Sequence, residues 1–237
     1  MDEVFRDEGK GSDKLPEPVR LVRVGDIDEH RISTQDEGFD LVLGGGLIPG
    51  TVVLISGDPG IGKSTLLLQV ADSIDEKMLY INGEESTMQT SIRAERLGIN
   101  PDTSKILLLP EQNIEKLLGV AEAHRPAVLA IDSIQTLWSD EIDSVTGSVM
   151  HIRECTNQLV TFAKRTDIPV LIVGHITKDG AIAGPKSMEH EVDVVMRFTE
   201  VDDIIRDLKC SKNRFGSIVH TAQYEMGDAG LKYVGVG

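Results

Sequence analysis

The hydrophobic pattern is most regular between residues 51 and 73. Residues 51–56, TVVLIS, form a continuous and mostly β-branched run, which is typical of a strand buried on both faces of a sheet. A glycine-rich segment follows, and from Lys63 the apolar residues have the spacing of a helix of about three turns. The pattern therefore predicts a buried strand, a loop and a helix in direct succession.

The alternation of strands and helices continues to about residue 174. Further strands are predicted at residues 78–82, 105–109, 128–132 and 170–174, and helices at 87–97, 113–124 and 148–165, with Asn113 as an N-cap. The later pattern contains strands alone, at 192–198, 204–209 and 217–224. Alternation favours an α/β fold with a mainly parallel, doubly wound sheet, and the final strands favour antiparallel additions at its C-terminal edge.

A short helix is predicted just before the first buried strand. Thr34 and Glu37 have the spacing of a capping box, and the three glycines from Gly44 would end the helix. Residues 1–18 are charged and poor in apolar side chains, so we expect a flexible acidic tail there. Residues 19–237 are predicted to form one domain.

Composition narrows the possible classes of function. Hydrophobic residues make up 40% of the 237 positions and charged residues 27%, which supports a sizeable core and excludes wholesale disorder. The net charge of −15 means that any DNA contact requires a local basic patch. Two distant cysteines exclude a disulfide scaffold and a four-cysteine zinc site. Without a membrane-spanning run or a signal-like N-terminus, we expect a cytoplasmic protein with no membrane contact.

Residues 57–64, GDPGIGKS, satisfy the phosphate-binding pattern GxxxxGK[ST]. Glycines let backbone N–H groups turn inward around phosphate oxygens, and the helix from Lys63 directs its positive end at the same anion. Lys63 is expected at the β- and γ-phosphates of ATP, Ser64 on Mg²⁺ and Thr65 at the α-phosphate. The predicted nucleotide-binding residues are Gly57, Asp58, Pro59, Gly60, Ile61, Gly62, Lys63, Ser64 and Thr65. The alternative is a glycine-rich connection in an unrelated α/β fold.

Asp132 ends an otherwise apolar strand, VLAID at 128–132. A carboxylate buried there without a partner would be costly, and Mg²⁺ held through water supplies one. Asp132 is therefore the predicted second metal residue beside Ser64. A helix or turn cap is the alternative, because Ser133 follows.

Hydrolysis also requires a group that orients or deprotonates water. Glu84 and Glu85 follow a predicted strand, and the carboxyl ends of strands face the ligand in a doubly wound sheet. We favour Glu84, since Glu85 also suits the start of the next helix. His175 follows the strand at 170–174 and is a candidate sensor of the γ-phosphate, or else a strand-end histidine with a structural role.

Six motifs, in order along the chain, resemble those of the bacterial RadA (Sms) family of RecA-type ATPases, which act in recombination and repair. They are RISTQDEGFDLVLGGGLIPG at 31–50, GDPGIGKSTLLLQ at 57–69, INGEES at 81–86, LAIDSIQTL at 129–137, GHITKDGAIAGPK at 174–186 and KNRFG at 212–216. The ordered set is far more specific than a P-loop alone, and KNRFG is its most specific single piece.

The resemblance implies a RecA-like P-loop NTPase that hydrolyses ATP in response to DNA. In this family the motor is a ring, a hexamer, that drives branch migration at recombination intermediates, so the implied partners are single-stranded or branched DNA, further copies of the chain and a recombinase. Glu84 falls on the water-activating position and His175 on the nucleotide-sensing position. Arg93 matches a position that covers the adenine ring.

The same resemblance assigns two further groups of residues. Lys212 and Arg214 of KNRFG match residues that reach the nucleotide of a neighbouring subunit. Loops 138–149 and 177–188 match the two DNA-facing loops of RecA-like proteins, and Lys178 and Lys186 are the predicted nucleic-acid-binding residues.

The charges of KNRFG support this assignment without excluding others. Arg206, Lys209, Lys212 and Arg214 form the densest basic stretch of an acidic chain. Alternate residues of a strand share a face, so Lys212 and Arg214 can point together and neutralise transition-state charge in trans. They could equally contact DNA phosphate, or pair with acids on the surface.

The sequence departs from the family pattern at both ends. RadA proteins usually carry an N-terminal four-cysteine zinc module and a C-terminal Lon-protease-like domain, and the chain is predicted to contain neither. Two other functions therefore stay open. One is a module that uses ATP to assemble, with little turnover in response to DNA, and the other is a KaiC-like signalling ATPase, which would leave KNRFG unexplained.

Overall fold

A computed structural model describes residues 30–175 and 188–237 of the chain. The helices in this part are α1 (Glu37–Leu43), α2 (Lys63–Ser73), α3 (Thr87–Arg96), α4 (Ile114–His124) and α5 (Val149–Thr166), with a 3-10 turn at Ile134–Thr136. The strands are β1 (Val52–Gly57), β2 (Met78–Asn82), β3 (Ile106–Leu109), β4 (Val128–Asp132), β5 (Val170–His175), β6 (Val194–Glu200), β7 (Ile205–Asn213), β8 (Thr221–Gly227) and β9 (Gly230–Val236).

The strands form one sheet in the order β3-β2-β4-β5-β1-β6-β7-β8-β9. Pairing is parallel from β3 to β6 and antiparallel from β6 to β9. The predicted α/β fold, with a mainly parallel sheet and antiparallel strands at the C-terminal edge, is thus confirmed.

Two strands of the C-terminal edge differ from expectation. The strand predicted at 192–198 lies parallel to β1, and only its other edge pairs antiparallel, with β7. A helix pattern between two strands is the usual signal of a parallel crossover, and the sequence between β5 and β6 has none. The last strand, β9, was not predicted, because its sequence contains two glycines and glycine is depleted in strands.

The position of β1 in the middle of the sheet explains its unbroken apolar run. All six residues of β1 are buried, and its side chains alternate between two hydrophobic cores. Val53 and Ile55 join the core that contains α2, whereas Val52 and Leu54 join the core that contains α5. The sheet is therefore covered on both faces, as the β-branched run predicted.

The cap of α1 differs from the predicted capping box. Asp36 is the N-cap, and its Oδ1 accepts a hydrogen bond of 2.8 Å from the backbone N–H of Phe39. Thr34 is buried and donates its hydroxyl to Asp40 Oδ1 at 2.8 Å instead. The predicted Thr34–Glu37 capping box is therefore wrong, because tertiary contacts place the start of the helix two residues later.

A helix that spans a membrane is about 20 residues long and mostly apolar. Within residues 30–175 and 188–237, no helix is both long and apolar enough to cross a bilayer.

The cap of α1 gives a test of this packing. Asp36 Oδ1 also accepts a 2.6 Å hydrogen bond from the buried Tyr224 hydroxyl, so Asp36→Ala removes a cap and leaves a buried donor without its partner. We expect Asp36→Ala to lower the free energy of unfolding by about 2 kcal/mol. Glu37→Ala, at the exposed neighbouring position, should cost less than about 0.5 kcal/mol. Urea unfolding of both variants measures the difference, and equal losses would contradict the assignment of Asp36 as the cap.

Candidate active site

Four parallel strands end together at one edge of the sheet and bring the P-loop, Asp132, Glu84 and His175 into one place. Gly57 at the end of β1 pairs in register with His175 at the end of β5, and Asn82 at the end of β2 pairs with Asp132 at the end of β4. Glu84 lies two residues beyond β2, and the P-loop begins at Gly57. This is the edge at which ligands bind in open α/β sheets.

The P-loop connects β1 to α2 through backbone conformations that favour glycine. Gly60 and Gly62 have φ values of 80° and 109°, in the left-handed region. Gly62 is the N-cap of α2 and supplies no side-chain oxygen, so the first amides of the helix have no side-chain cap. Free amides at a helix N-terminus favour an anion such as phosphate.

The P-loop is also constrained by the antiparallel half of the sheet. A Cβ on Gly57 would lie 2.4 Å from the carbonyl oxygen of Phe198, and one on Gly62 would lie 2.5 Å from Met226 Cε. Gln69 on α2 exchanges two hydrogen bonds with the backbone of Leu231, at 3.0 and 2.8 Å. Strands β6 and β8 therefore pack against the P-loop, and β9 binds the helix that follows it. The sequence pattern gives no signal of these contacts.

The Lys63 side chain is buried and directed into the P-loop. Its exposed fraction is 3%, and Nζ donates to the carbonyl oxygens of Gly57 and Asp58 at 2.9 and 2.8 Å. Burial lowers the pKa of Lys63, and the nearby carboxylates of Glu84, Asp132 and Asp58 act in the opposite direction. The ammonium thus lies among three acids at the carboxyl edge of the sheet.

Asp132 lies beside the start of α2, as a metal carboxylate requires. Its Oδ1 accepts a 3.0 Å hydrogen bond from Ser64 Oγ, and its Oδ2 accepts one of 2.7 Å from the Tyr80 hydroxyl. Burial raises the pKa of Asp132, whereas these two donors lower it. A hydroxyl and a carboxylate 3.0 Å apart are hard oxygen donors of the kind that Mg²⁺ prefers, so the residues present fit that cation.

Glu84 is held by two donors on one carboxylate oxygen. His175 Nε2 lies 2.8 Å from Oε1, and the buried Ser133 hydroxyl donates to the same atom. The hydrogen bond to His175 is the largest cause of a Glu84 pKa lowered to about 2, with Ser133 and the Lys63 charge acting in the same direction. Glu84 is therefore charged at neutral pH and lies between Lys63 and the end of β5.

Glu85 and Arg93 form a separate ion pair beside this cluster. The Arg93 guanidinium on α3 contacts the Glu85 carboxylate, and both side chains are partly buried. The structure thus separates the paired acids of the sequence, since Glu84 contacts His175 and Glu85 contacts the predicted adenine-covering residue. The role of Arg93 stays a prediction.

Two residues of this cluster were missed by sequence reasoning. Tyr80 points from the middle of β2 towards Asp132, and Ser133 joins Asp132 to Glu84. A buried tyrosine in an apolar strand and a serine after an aspartate are common, so neither residue type marks a site. The register of β2 and β4 alone brings them to the carboxylates.

The chain is similar in sequence to known ATPases. Residues 17–181 match the family described as AAA domain, which is more than half of the chain. The chain belongs to the AAA domain family. The RadA resemblance is likewise confirmed by similar proteins.

Three curated relatives illustrate the similarity to this AAA domain. Each is a DNA repair protein RadA. The one from Aquifex aeolicus is 47% identical over 225 residues, 93% of this chain and 50% of that protein. The one from Streptococcus pneumoniae is 46% identical over 217 residues, 90% and 51% of the two chains. The one from Bacillus subtilis is 45% identical over 223 residues, 92% and 48%. The chain spans about half the length of the curated relatives it matches.

A solved structure shows the same fold at low sequence identity. A KaiC-like protein of Pyrococcus horikoshii superimposes with a TM-score of 0.70 at 21% identity, covering 86% of this chain and 99% of that one. The likeness confirms the expected RecA-like type of P-loop ATPase fold. It says nothing of function.

The KNRFG motif lies at the opposite end of the AAA domain's sheet from the P-loop. Arg214 follows β7, and its backbone N–H donates to Asp193 O, while Asp193 N–H donates to Val52 O at the start of β1. Val52 and Gly57 bound a strand that rises roughly 3.3 Å per residue, so the two sites are separated by about 16 Å of β1. Arg214 and Lys212 cannot reach the P-loop of their own subunit.

The two cations of KNRFG differ in how many donors they have already used. Lys212 Nζ donates to the carbonyls of Glu189, His190 and Val192, at 2.6, 3.3 and 2.7 Å, and thereby uses all three of its protons. Arg214 donates to the buried carboxylate of Asp193 at 3.0 Å through one nitrogen, and its side chain is 46% exposed. Of this pair, Arg214 has the donors left for a further partner.

The predicted DNA-facing parts of the AAA domain are only partly visible. Lys178, Lys186 and most of loop 177–188 lie outside the described residues, so their roles stay predictions. Loop 138–149 contains Asp140, Glu141 and Asp143 and no lysine or arginine. This loop cannot bind phosphate through cationic side chains, and Val145, which is 80% exposed, is its most accessible apolar residue.

A cavity of about 430 Å³ lies between α2, α3 and β3, and Ile92 and Ala94, the chain neighbours of Arg93, line part of it. Its lining is mostly apolar, includes Leu68, Ile92 and Ile106, and contains no lysine or arginine. It therefore lacks the cationic groups that a phosphate ligand requires.

The contact between His175 and Glu84 gives a direct test of the site's electrostatics. Because the His175 hydrogen bond is the largest cause of the low pKa of Glu84, His175→Ala should raise that pKa from about 2 towards its ordinary value of 4.5. Carboxyl ¹³C NMR of Glu84 between acidic and neutral pH measures the change. Replacement of His124 by Ala, at the distant end of α4, is the control. An unchanged Glu84 titration in His175→Ala would exclude the contact in solution.

Proposed function

We propose that the chain is the ATPase core of a RadA-type DNA repair protein, which hydrolyses ATP with Mg²⁺ in a DNA-dependent manner during homologous recombination. The observation that carries the proposal is the convergence of Lys63, Ser64, Asp132, Glu84 and His175 at one sheet edge. The identity of 45–47% with RadA proteins over at least 90% of the chain supports the same assignment.

Each residue of the cluster has a distinct task in this proposal. The P-loop amides and Lys63 bind the phosphates, and Thr65 lies next to Ser64 at the start of α2, where it can add a hydroxyl. Ser64 and Asp132 would hold Mg²⁺, which supplies charge neutralisation on the phosphate oxygens. Glu84 orients the attacking water or accepts its proton, and His175 restrains Glu84. Arg93, next to Glu85, covers the adenine.

The hydrogen bonds to Glu84 also suggest how hydrolysis responds to DNA. A carboxylate that accepts from both His175 and Ser133 is a weak base, because both bonds stabilise its charged form. His175 is the last residue before the segment that contains Lys178 and Lys186. A DNA contact in that segment could therefore withdraw His175 and free Glu84 to act on water.

An active site of this kind requires a second copy of the chain. Arg214 is about 16 Å from the P-loop of its own subunit along β1, so it can neutralise transition-state charge only at a neighbour's nucleotide. Lys212 supports the turn that precedes β6 and the position of Arg214. Head-to-tail contacts form a ring when the rotation between neighbours closes, and we propose that the chain forms such a ring-shaped homo-oligomer.

Turnover of ATP by the purified chain tests the enzymatic proposal. With Mg²⁺, we expect single-stranded DNA to raise the turnover of the wild type. Lys63→Ala removes the phosphate-binding ammonium, and we expect it to reduce turnover by roughly 100-fold or more. Glu84→Gln keeps the shape of the side chain and should retain ATP affinity while losing roughly 100-fold in turnover. Glu85→Gln is the matched control and should retain more activity than Glu84→Gln.

The result also separates the competing function. If ATP binds but turnover stays low and does not respond to DNA, the motor proposal is wrong for this chain. An ATP-dependent assembly module would then be favoured, and the oligomeric state with and without ATP would be the property to measure.

A mixing experiment tests the trans role of Arg214. Glu84→Gln and Arg214→Ala subunits should each be inactive alone, since every interface lacks one group. In a mixture, some interfaces combine an intact Glu84 from one subunit with an intact Arg214 from its neighbour. We expect turnover to reappear on mixing the two variants, and its absence in oligomers shown to exchange subunits would count against an action in trans.

A further inference from the structure

Among the described residues, the Tyr80 hydroxyl is the one donor to the Oδ2 atom of the Asp132 carboxylate. Tyr80 Oη lies 2.7 Å from Oδ2, and Ser64 Oγ lies 3.0 Å from Oδ1. Both oxygens of the carboxylate are therefore engaged, each by a different element of the fold. A carboxylate fixed at both oxygens cannot rotate freely about its terminal bond.

The register of the sheet explains how Tyr80 reaches Asp132. Tyr80 pairs with Ala130 across β2 and β4, and Asp132 lies two residues further along the same face of β4. A side chain as long as tyrosine spans this diagonal distance. Ala130 is the smallest side chain of β4 and leaves room for the aromatic ring above it. The contact is thus built into the sheet rather than into a loop.

The burial of both partners makes the contact more than an incidental surface bond. Tyr80 is 1% exposed and Asp132 is 7% exposed. Water has little access to either group, so the loss of the hydroxyl would leave Oδ2 without a donor. The carboxylate would then turn towards another donor, and Oδ1 would no longer keep its position beside Ser64.

We propose that Tyr80 is a positioning residue that orients the Asp132 carboxylate towards the Mg²⁺ that Ser64 and Asp132 would hold. The proposal rests on the metal site proposed above. Hydrogen-bond donors behind a metal-binding carboxylate orient it, and their removal typically lowers the affinity for the metal by about tenfold or more. Tyr80 lies behind the carboxylate, away from Ser64, and so acts through Asp132 alone.

Metal binding, measured apart from turnover, tests this role. The probe is Mn²⁺, titrated by electron paramagnetic resonance onto the chain with the non-hydrolysable analogue AMP-PNP. We expect Tyr80→Phe, which removes only the hydroxyl, to weaken Mn²⁺ binding by roughly tenfold. The affinity for the nucleotide without metal, measured in EDTA, should change less than about twofold, because the P-loop and Lys63 are untouched. A purely structural tyrosine would lower thermal stability and leave this ratio of affinities unchanged.

Two controls make the result specific. Tyr233→Phe removes another tyrosine hydroxyl, one without a hydrogen bond among the described residues, and should bind Mn²⁺ as the wild type does. In an Asp132→Asn background, Tyr80→Phe should cause no further loss, since the residue acts only through the carboxylate.

The outcomes separate this proposal from the metal site on which it rests. Wild-type affinity for Mn²⁺ in Tyr80→Phe would overturn the role of Tyr80 and leave the metal site intact. A wild-type chain that binds AMP-PNP but takes up no Mn²⁺ during the titration would overturn both. A further loss of metal affinity in the Asp132→Asn background would show that Tyr80 acts by a route other than the carboxylate.

Discussion

A buried ammonium at the end of β1 imposes the charge balance on which this site depends. Lys63 is 3% exposed, and burial alone would favour loss of its proton. The carboxylates of Glu84, Asp132 and Asp58 oppose that effect, and the carbonyls of Gly57 and Asp58 accept its hydrogen bonds. The Lys63 charge in turn helps to lower the pKa of Glu84, whereas the buried Asp132 is stabilised chiefly by its hydroxyl donors. Hydroxyl donors from Tyr80, Ser64 and Ser133 complete the set.

The buried lysine and its acids lie together at one edge of the sheet, and the candidate functional residues therefore fall into two groups at opposite ends of the strands. The carboxyl edge of the parallel strands holds the P-loop and its acids. The other edge holds Arg214, tied to the buried Asp193 at the start of β6. In the function proposed above, a single subunit carries both halves of a composite site at opposite ends of its sheet and cannot combine them. The antiparallel strands serve both ends, since β7 leads to Arg214 while Met226 and Leu231 lie against the P-loop and α2.

Sequence reasoning located correctly those candidate residues whose position depends on the end of a strand. The P-loop, Asp132, Glu84 and His175 each follow an apolar strand, and a parallel sheet gathers strand ends at one edge. The same reasoning failed at α1, where Asp40 binds Thr34 and Asp36 becomes the cap. It also missed β9, whose glycines hide its strand character. Lys178 and Lys186 lie outside the described residues, so their predicted contacts with DNA rest on the family resemblance.

The sequence by itself determined the fold class, the phosphate loop and the acids at the strand ends. These features are local, because glycine spacing, apolar runs and strand-end carboxylates are all read along the chain. Only the tertiary structure decided which donors hold the acids and which cation is free to reach a partner. Tyr80 meets Asp132 through the register of two strands, and Lys212 uses its protons on a turn about 20 residues earlier in the chain. Such pairings depend on the alignment of distant segments, which residue spacing along one chain does not encode.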